Sequence, residues 1–116
     1  MAYVYVLLCG DGSFYTGTAR DLPHRMRDHF EKTPAAAAYT RAKGAVRLLC
    51  AWECDGISAA LRAEAAIKRL TRHDKEALLA SPARLGGDGF PTLAELSFRP
   101  LCEGEEPLAT VRRLYG

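Results

Sequence analysis

The sequence predicts an α+β fold in which a small antiparallel three-stranded sheet is flanked by helices, in the element order ββαβαα. Three observations support this prediction. Residues 3–8 and 13–17 are rich in aromatic and β-branched side chains and are separated by a glycine turn, which is the pattern of a β-hairpin. Helical signals begin near residues 21 and 58. The apolar run 46–54, which lies between the two helices, supplies the third strand.

The hairpin and the first helix have clear boundary signals. A Gly-Asp-Gly sequence at 10–12 favours a tight turn between the first two strands. Asp21 is a candidate N-cap for the first helix, whose first turn tolerates Pro23. We expect this helix to fade near Pro34. Its apolar face is predicted to consist of Leu22, Met26 and Phe30.

Two more helices are predicted after the third strand. An Asp-Gly pair ends the strand, and Ser58 is expected to cap a second helix that runs to about Leu70. A short third helix is predicted at 75–80. Its cap is either Thr71 or Asp74, because both side chains can accept a hydrogen bond from a free backbone N–H group.

Two stretches of the chain lack a clear pattern. Residues 33–45 show no helical or strand period and are predicted to be a loop or a ragged helical turn. Residues 81–116 contain glycines and prolines between weakly patterned segments. We therefore expect residues 1–80 to form the domain and residues 81–116 to be a C-terminal extension that packs on it.

The composition is that of one globular domain. The chain has 116 residues, of which 48% are hydrophobic and 26% charged, so extensive disorder is excluded. No apolar run approaches the ~20 residues needed to cross a bilayer, and the N-terminus lacks the basic start of a secretory signal. We therefore expect a cytoplasmic protein with no membrane partner, whose four cysteines are reduced thiols rather than metal ligands. Its oligomeric state is left open.

The formal charge of +2 conceals an uneven distribution of cations. Residues 20–47 contain seven Lys and Arg against three Asp and Glu, whereas residues 81–116 contain four against five. A basic front segment permits a phosphate-bearing partner without requiring one.

Five polar or ionisable residues occur in order along the predicted elements. Tyr5 lies in the first strand, and Tyr15 begins a Tyr-Thr-Gly sequence in the second. Arg25 and His29 share one face of the first helix, and Glu64 is the one carboxylate in an alanine-rich part of the second helix. This order resembles the GIY-YIG endonuclease superfamily, in particular its small stand-alone YhbQ-like bacterial type. The resemblance extends from residue 3 to about residue 80.

The resemblance implies a metal-dependent endonuclease that hydrolyses phosphodiester bonds in DNA. It makes Tyr5 and Tyr15 the candidate general bases, although a phenol has a pKa near 10 and needs nearby cations to ionise. It makes Arg25 the guanidinium that meets charge on the phosphoryl oxygens. It implies that His29 bonds a tyrosine or the attacking water, and that Glu64 is the sole protein ligand of Mg²⁺ or Mn²⁺.

A structural interpretation of the same five residues also stays open. The two tyrosines can be core aromatics that need only a hydrogen-bond partner for each hydroxyl. His29 can be an exposed residue at a helix end. Helical spacing also allows three ion pairs, which are Arg25–Asp21, Arg25–Asp28 and Glu64–Lys68.

DNA is the expected partner, in repair or recombination, and we expect it to be selected by its structure rather than by its sequence. Nothing in the chain resembles a dedicated target-recognition domain. Several basic residues are candidates for contacts with backbone phosphates, namely Arg41, Lys43, Arg47, Lys68, Arg69 and Arg72.

One departure from the family pattern suggests an alternative. Many members carry an asparagine after the second helix, and this chain contains no asparagine. The alternative function is a nucleic-acid-binding module of the same fold with weak or no catalysis. A third hypothesis is an interaction or redox adaptor that uses its thiols.

Overall fold

The computed structural model describes residues 1–87 and 89–116, and its centre is a four-stranded antiparallel sheet in the order β2-β1-β3-β4. The predicted α+β fold is confirmed, but the predicted number of three strands is wrong. The fourth strand comes from the C-terminal extension. The strands are β1 (Ala2–Cys9), β2 (Phe14–Ala19), β3 (Ala45–Cys54) and β4 (Phe98–Pro100).

Helices cover both faces of this sheet. One face packs against α3, whereas α1 and α5 contact each other on the opposite face. None of the helices in the described part of the chain is both long and apolar enough to cross a membrane. The helices are α1 (Leu22–Phe30), α2 (Ala38–Lys43), α3 (Ile57–Lys68), α4 (Arg72–Ala80) and α5 (Leu108–Tyr115).

The central strand β1 divides the core into two apolar clusters. Successive side chains of a strand point to opposite faces, so Val4 and Val6 pack with α3 while Tyr5 and Leu7 pack on the α1 side. All four side chains are buried because a strand with neighbours on both edges and helices on both faces has no contact with water. The fold thereby places Tyr5 on the same side of the sheet as α1.

The helix starts agree in part with the predicted caps. The carboxylate of Asp21 accepts a hydrogen bond from the backbone N–H of His24 at 3.1 Å, as expected of an N-cap. The two alternatives for the third helix are also resolved. The hydroxyl of Thr71 accepts from the backbone N–H of Asp74 at 3.1 Å, so α4 begins at Arg72 rather than at residue 75.

The prediction that Ser58 caps the second helix is wrong. The N-cap is Gly56, whose extended backbone (φ −166°, ψ 178°) turns the chain from β3 into α3 without a side-chain hydrogen bond. Ser58 therefore lies inside the first turn and is exposed. A glycine serves at this position because it adopts the extended cap conformation without a side chain to place.

Residues 33–45 contain a regular element that has no clear sequence period. The six residues of α2 form a short helix that ends at Gly44, which has φ 78°. Glycine adopts this left-handed conformation at little cost. The helix is anchored from within by Thr40, which is buried and donates its hydroxyl proton to the carbonyl oxygen of Ala37 at 3.1 Å.

The C-terminal extension contacts both faces of the sheet. On one face, the indole N–H of Trp52 donates to the carbonyl oxygen of Pro82 at 2.8 Å. On the other face, Leu108 and Val111 of α5 are buried in the cluster that contains Tyr5. Between these two contacts, β4 pairs with the end of β3.

Candidate active site

Tyr5, Tyr15 and His29 lie against one another at the edge of the sheet. In the antiparallel pair of β1 and β2, Tyr5 is opposite Gly17 and Leu7 is opposite Tyr15, so the two tyrosines are diagonal neighbours on one face. Their ring centroids are 6.5 Å apart. The ring of His29 has its centroid 5.6 Å from that of Tyr5 and 5.4 Å from that of Tyr15. The hairpin and α1 thus bring three predicted site residues together.

Gly17 makes room for this arrangement. A Cβ atom at this position would lie 2.5 Å from the hydroxyl oxygen of Tyr5 and 3.0 Å from a ring carbon of Tyr15. Non-bonded heavy atoms in a protein core pack at about 3.5–4.0 Å, so any side chain here would displace a tyrosine. The glycine of the Tyr-Thr-Gly sequence is therefore required by the close approach of the two rings.

A buried chain of hydrogen bonds connects the site to α2. The hydroxyl oxygen of Tyr5 is 2.6 Å from Nε2 of His29, and Nδ1 of the same ring is 2.8 Å from the hydroxyl oxygen of Thr40. All three residues are 0% exposed. His29 is therefore not the exposed helix-end residue that one interpretation allowed, and its two ring nitrogens both have partners inside the protein.

Burial keeps Tyr5 and His29 uncharged at neutral pH. It raises the pKa of Tyr5, with the neighbouring Tyr15 adding to the rise, while a side-chain hydrogen bond from Arg25 and the charge of Arg25 oppose it. Burial also lowers the pKa of His29 to about 4, and the charge of Arg25 lowers it further. A phenolate at Tyr5 and an imidazolium at His29 are thus both disfavoured.

Arg25 lies half-buried beside these rings on α1. Its Nη1 atom donates to the carbonyl oxygen of Ala35 at 2.7 Å and is 3.5 Å from a carboxylate oxygen of Asp28. Of the two predicted ion pairs, the structure therefore forms the one with Asp28, because Asp21 is used as the helix cap. The guanidinium is held near Tyr5 by α1 and by the segment that follows it.

Glu64 projects from α3 next to Lys68. Its carboxylate oxygen is 3.4 Å from Nζ of Lys68, and the Glu64 side chain is 20% exposed. The same Nζ atom lies 6.0 Å from the centroid of the Tyr15 ring, so the ion pair reaches the edge strand that carries Tyr15. The charge of Glu64 is one of the smaller causes that raise the pKa of Tyr5. Glu64 therefore forms the predicted ion pair with Lys68 and also lies near the two tyrosines.

The donor set around Glu64 fits only one kind of metal ion. Within the described residues, no group of three or more His, Cys, Asp or Glu side chains could hold a metal. A tetrahedral zinc site needs at least three protein ligands, so zinc does not fit. Mg²⁺ and Mn²⁺ are hard cations that suit oxygen ligands, and Mg²⁺ keeps several waters and binds through one or two carboxylates plus substrate phosphates. The single carboxylate of Glu64 fits such an ion.

All six predicted phosphate-contact residues are exposed, and three of them also contact other groups of the protein. Arg72 is engaged, because its guanidinium donates to the carbonyl oxygen of Gly12 at 2.8 Å and lies 3.7 Å from the centroid of the Phe14 ring. Lys43 is 3.2 Å from a carboxylate oxygen of Asp11. Lys68 pairs with Glu64 as described above, and the other members of the predicted set are Arg41, Arg47 and Arg69.

Two further residues of the site lie on α2 and were not predicted from the sequence. Tyr39 stacks on Tyr15 with ring centroids 5.8 Å apart and donates its hydroxyl proton to the side-chain oxygen of Ser13. Thr40 shares a hydrogen bond with Nδ1 of His29, as described above. The only sequence signal was an aromatic and a hydroxyl residue in a segment without period, which is too weak to assign a position.

Two of the four thiols, those of Cys50 and Cys54, offer little reactivity. Burial raises the pKa of Cys50 and of Cys54 to about 11, so both are protonated at neutral pH. A thiol needs its thiolate form to act as a nucleophile or a redox group. These two residues therefore give no support to a redox adaptor.

A comparison with known proteins identifies the class to which this fold and site belong. The family model of the GIY-YIG catalytic domain matches residues 1–77, and the chain therefore belongs to the GIY-YIG family. The resemblance predicted from the order of Tyr5, Tyr15, Arg25, His29 and Glu64 is confirmed at the level of the family.

Individual relatives are UPF0213 proteins. The UPF0213 protein BH0048 of Halalkalibacterium halodurans is 40% identical over 95 residues, covering 82% of this chain and 95% of the relative. A UPF0213 protein of Streptococcus sanguinis is 45% identical over 78 residues, covering 67% of this chain and 87% of the relative. The solution NMR structure of BH0048, from Bacillus halodurans, is 37% identical, covers 84% of this chain and 98% of that one, and has a TM-score of 0.46.

Proposed function

We propose that this protein is a metal-dependent endonuclease that hydrolyses phosphodiester bonds in DNA, in the service of repair or recombination. The observation that carries the proposal is the convergence of Tyr5, Tyr15 and His29 at an edge strand, with Arg25 and Glu64 beside them. This set contains a proton acceptor, a cation for phosphate and a carboxylate for a metal ion, which are the groups that such a hydrolysis needs.

Tyr15 is the tyrosine that attacking water can reach. Tyr5 is fully buried and its hydroxyl is already bonded to His29, whereas Tyr15 is partly exposed on the edge strand. The ammonium group of Lys68 lies 6.0 Å from the centre of the Tyr15 ring, so a cation stands beside the proposed general base. Acting as a phenolate, Tyr15 takes the proton of the water whose oxygen forms the new P–O bond. The P–O bond to the leaving group breaks, and the leaving oxygen departs with the electron pair and takes a proton from solvent.

The other residues stabilise the developing charge. The guanidinium of Arg25 donates to the phosphoryl oxygens, and its contacts with the carbonyl oxygen of Ala35 and the carboxylate of Asp28 hold it in place. Glu64 would hold Mg²⁺ or Mn²⁺. When bound, such an ion polarises the phosphate and lowers the pKa of a coordinated water.

Cleavage assays with matched variants test the proposal. Single-stranded, branched and duplex DNA are incubated with Mg²⁺ or Mn²⁺ and the wild type, Glu64→Gln or Arg25→Ala. We expect Arg25→Ala to lose roughly 100- to 1000-fold in rate, because removing one donor to the developing charge costs about 3–4 kcal/mol. Glu64→Gln should lose activity as well, since the amide keeps the size of the side chain but removes the charge that binds the metal.

The control is Arg113→Ala, which removes an exposed arginine that pairs with Glu106 on the C-terminal extension. It should cleave like the wild type. Equal rates for the wild type, Glu64→Gln and Arg25→Ala would contradict the assigned roles.

One observation favours the alternative of a binding module. The carboxylate of Glu64 already has a cationic partner, Lys68, at 3.4 Å, and a metal ion would compete with this pair. Salt-sensitive binding of DNA without cleavage under either metal would support the module and reject the nuclease.

A further inference from the structure

The side chain of Thr40 is completely buried and lies between a backbone carbonyl group and an imidazole nitrogen. Its hydroxyl oxygen is 3.1 Å from the carbonyl oxygen of Ala37 and 2.8 Å from Nδ1 of His29. A hydroxyl group carries one proton and a carbonyl oxygen only accepts, so this proton is donated to Ala37. The oxygen of Thr40 must then accept from His29, which places the imidazole proton on Nδ1.

The other end of the imidazole faces Tyr5. With the proton on Nδ1, Nε2 of the neutral ring carries a lone pair, and it is 2.6 Å from the hydroxyl oxygen of Tyr5. Tyr5 therefore donates its proton to His29. The lone pairs of the phenol oxygen stay available for Arg25, whose guanidinium can only donate. Every group in the chain from Tyr5 to Ala37 then has a partner of the correct kind.

We propose that Thr40 is a positioning residue, which fixes His29 in the tautomer with the proton on Nδ1 and so turns the oxygen of Tyr5 toward Arg25. The reversed tautomer would donate from Nε2 to Tyr5. The phenol proton would then need another acceptor, and the neighbouring guanidinium offers none. Thr40 acts on Arg25 through two other side chains, and its effect on catalysis rests on the proposed function.

The first test uses the unmodified protein. Nitrogen-15 NMR of the imidazole ring distinguishes a protonated from an unprotonated ring nitrogen. We expect His29 in the wild type at pH 7 to be neutral, with its proton on Nδ1. A proton on Nε2 would overturn the proposal, and this outcome does not depend on any variant folding correctly.

The second test compares Thr40→Val with Thr40→Ser. Valine keeps the shape of the side chain and removes the hydroxyl group, whereas serine retains the hydroxyl. We expect Thr40→Val to populate the tautomer of His29 that is protonated on Nε2. Its kcat should fall roughly 10- to 100-fold with little change in KM, which is the size of the loss when the hydrogen-bond partner of a metal-binding histidine is removed. Thr40→Ser should keep the tautomer and most of the rate.

The control is Thr16→Val, a change of another buried threonine, which lies on the α3 side of β2. It should leave the His29 spectrum and the cleavage rate unchanged. A wild-type tautomer and rate in Thr40→Val would overturn the proposal, as would equal losses in Thr40→Val and Thr40→Ser. A wild type that cleaves no DNA would reject the proposed function, while the spectra would still decide whether Thr40 sets the tautomer.

Discussion

Gly17 shows how one absent side chain sets the geometry of this site. Its backbone lies opposite Tyr5 in the hairpin, and the phenol ring occupies the space that a Cβ atom would take. Its backbone φ lies outside the left-handed region, so conformational freedom is not the reason for a glycine here. The reason is steric, since Tyr5 and Tyr15 both approach the same point.

Replacing Gly17 with alanine should therefore disturb both stability and the site. We expect Gly17→Ala to lower the free energy of unfolding by about 1–3 kcal/mol, the usual cost of an extra methyl group in a packed core. Gly87→Ala is the matched control, because that glycine is exposed and its added Cβ would meet only the carbonyl oxygen of Arg84, at 3.4 Å. Urea unfolding of both variants measures the difference, and equal stabilities would contradict the steric explanation.

The buried imidazole of His29 makes stability depend on pH. Its pKa is about 4 in the folded protein, against an ordinary value of 6.5. The unfolded chain therefore binds a proton more readily between these two values, and stability falls as the pH drops from 6.5 toward 4. Above pH 6.5 this contribution is constant. The loss is at most about 3 kcal/mol, since one pKa unit corresponds to 1.36 kcal/mol.

Unfolding by urea at several pH values between 4.5 and 7.5 measures this dependence. His29→Gln should show a smaller slope than the wild type, because it removes the group that titrates. His73→Gln replaces an exposed histidine and should keep the full slope. A full slope in His29→Gln would show that another group is responsible.

At the scale of secondary structure, the hairpin turn is tied to two helices. The backbone N–H of Gly10 donates to the carbonyl oxygen of Gly44 at 2.8 Å, where α2 ends. Arg72, at the start of α4, donates to the carbonyl oxygen of Gly12 at 2.8 Å. These contacts hold the turn that leads into β2, and so they hold the strand that carries Tyr15.

Helix α5 closes the face of the sheet on which the site is built. Leu108 is buried with Tyr5 in one cluster, whereas Leu114 on the same helix is 61% exposed. We expect Leu108→Ala to cost about 2–5 kcal/mol of unfolding free energy, and Leu114→Ala to stay within about 0.5 kcal/mol of the wild type. Chemical denaturation of the two variants gives the comparison, and similar losses would mean that α5 does not pack as described.

For the whole molecule, we expect the attraction of a phosphate backbone to depend on where the cations lie rather than on their number. The net charge is only +2. Exposed basic residues nevertheless lie on α2 and at the end of α3, which are the two helices that border Tyr15. Residues 81–116, by contrast, contain four basic against five acidic residues. A phosphate backbone is attracted to such a local concentration and releases counterions when it binds.

The salt dependence of DNA binding tests this placement. We expect Arg41→Ala to weaken binding and to reduce the slope of log K against log salt by about one, which is the change for one lost phosphate contact. Arg113→Ala removes the same charge from α5, where it pairs with Glu106, and should leave the slope unchanged. Binding titrations at several salt concentrations measure both variants, and equal slopes for the two would contradict a basic surface at α2.

Features that depend on nearby residues were predictable from the sequence alone. The alternation in β1, the cap at Asp21 and the order of the five site residues are all visible within short stretches of chain. The physical reason is that strand periodicity and helix caps arise from contacts over a few residues. The class of the fold and the family followed from these local signals.

The tertiary structure decided the rest. The six residues of α2 form too short a helix to be stable by themselves, and β4 has three residues, one of which is Pro100, so neither element has a sequence signal strong enough to predict it. Packing against the hairpin and pairing with β3 stabilise them instead. Thr40 and Tyr39 reach the site only because α2 forms, and His29 is buried because the fold brings Tyr5 of β1 and Thr40 of α2 against its ring.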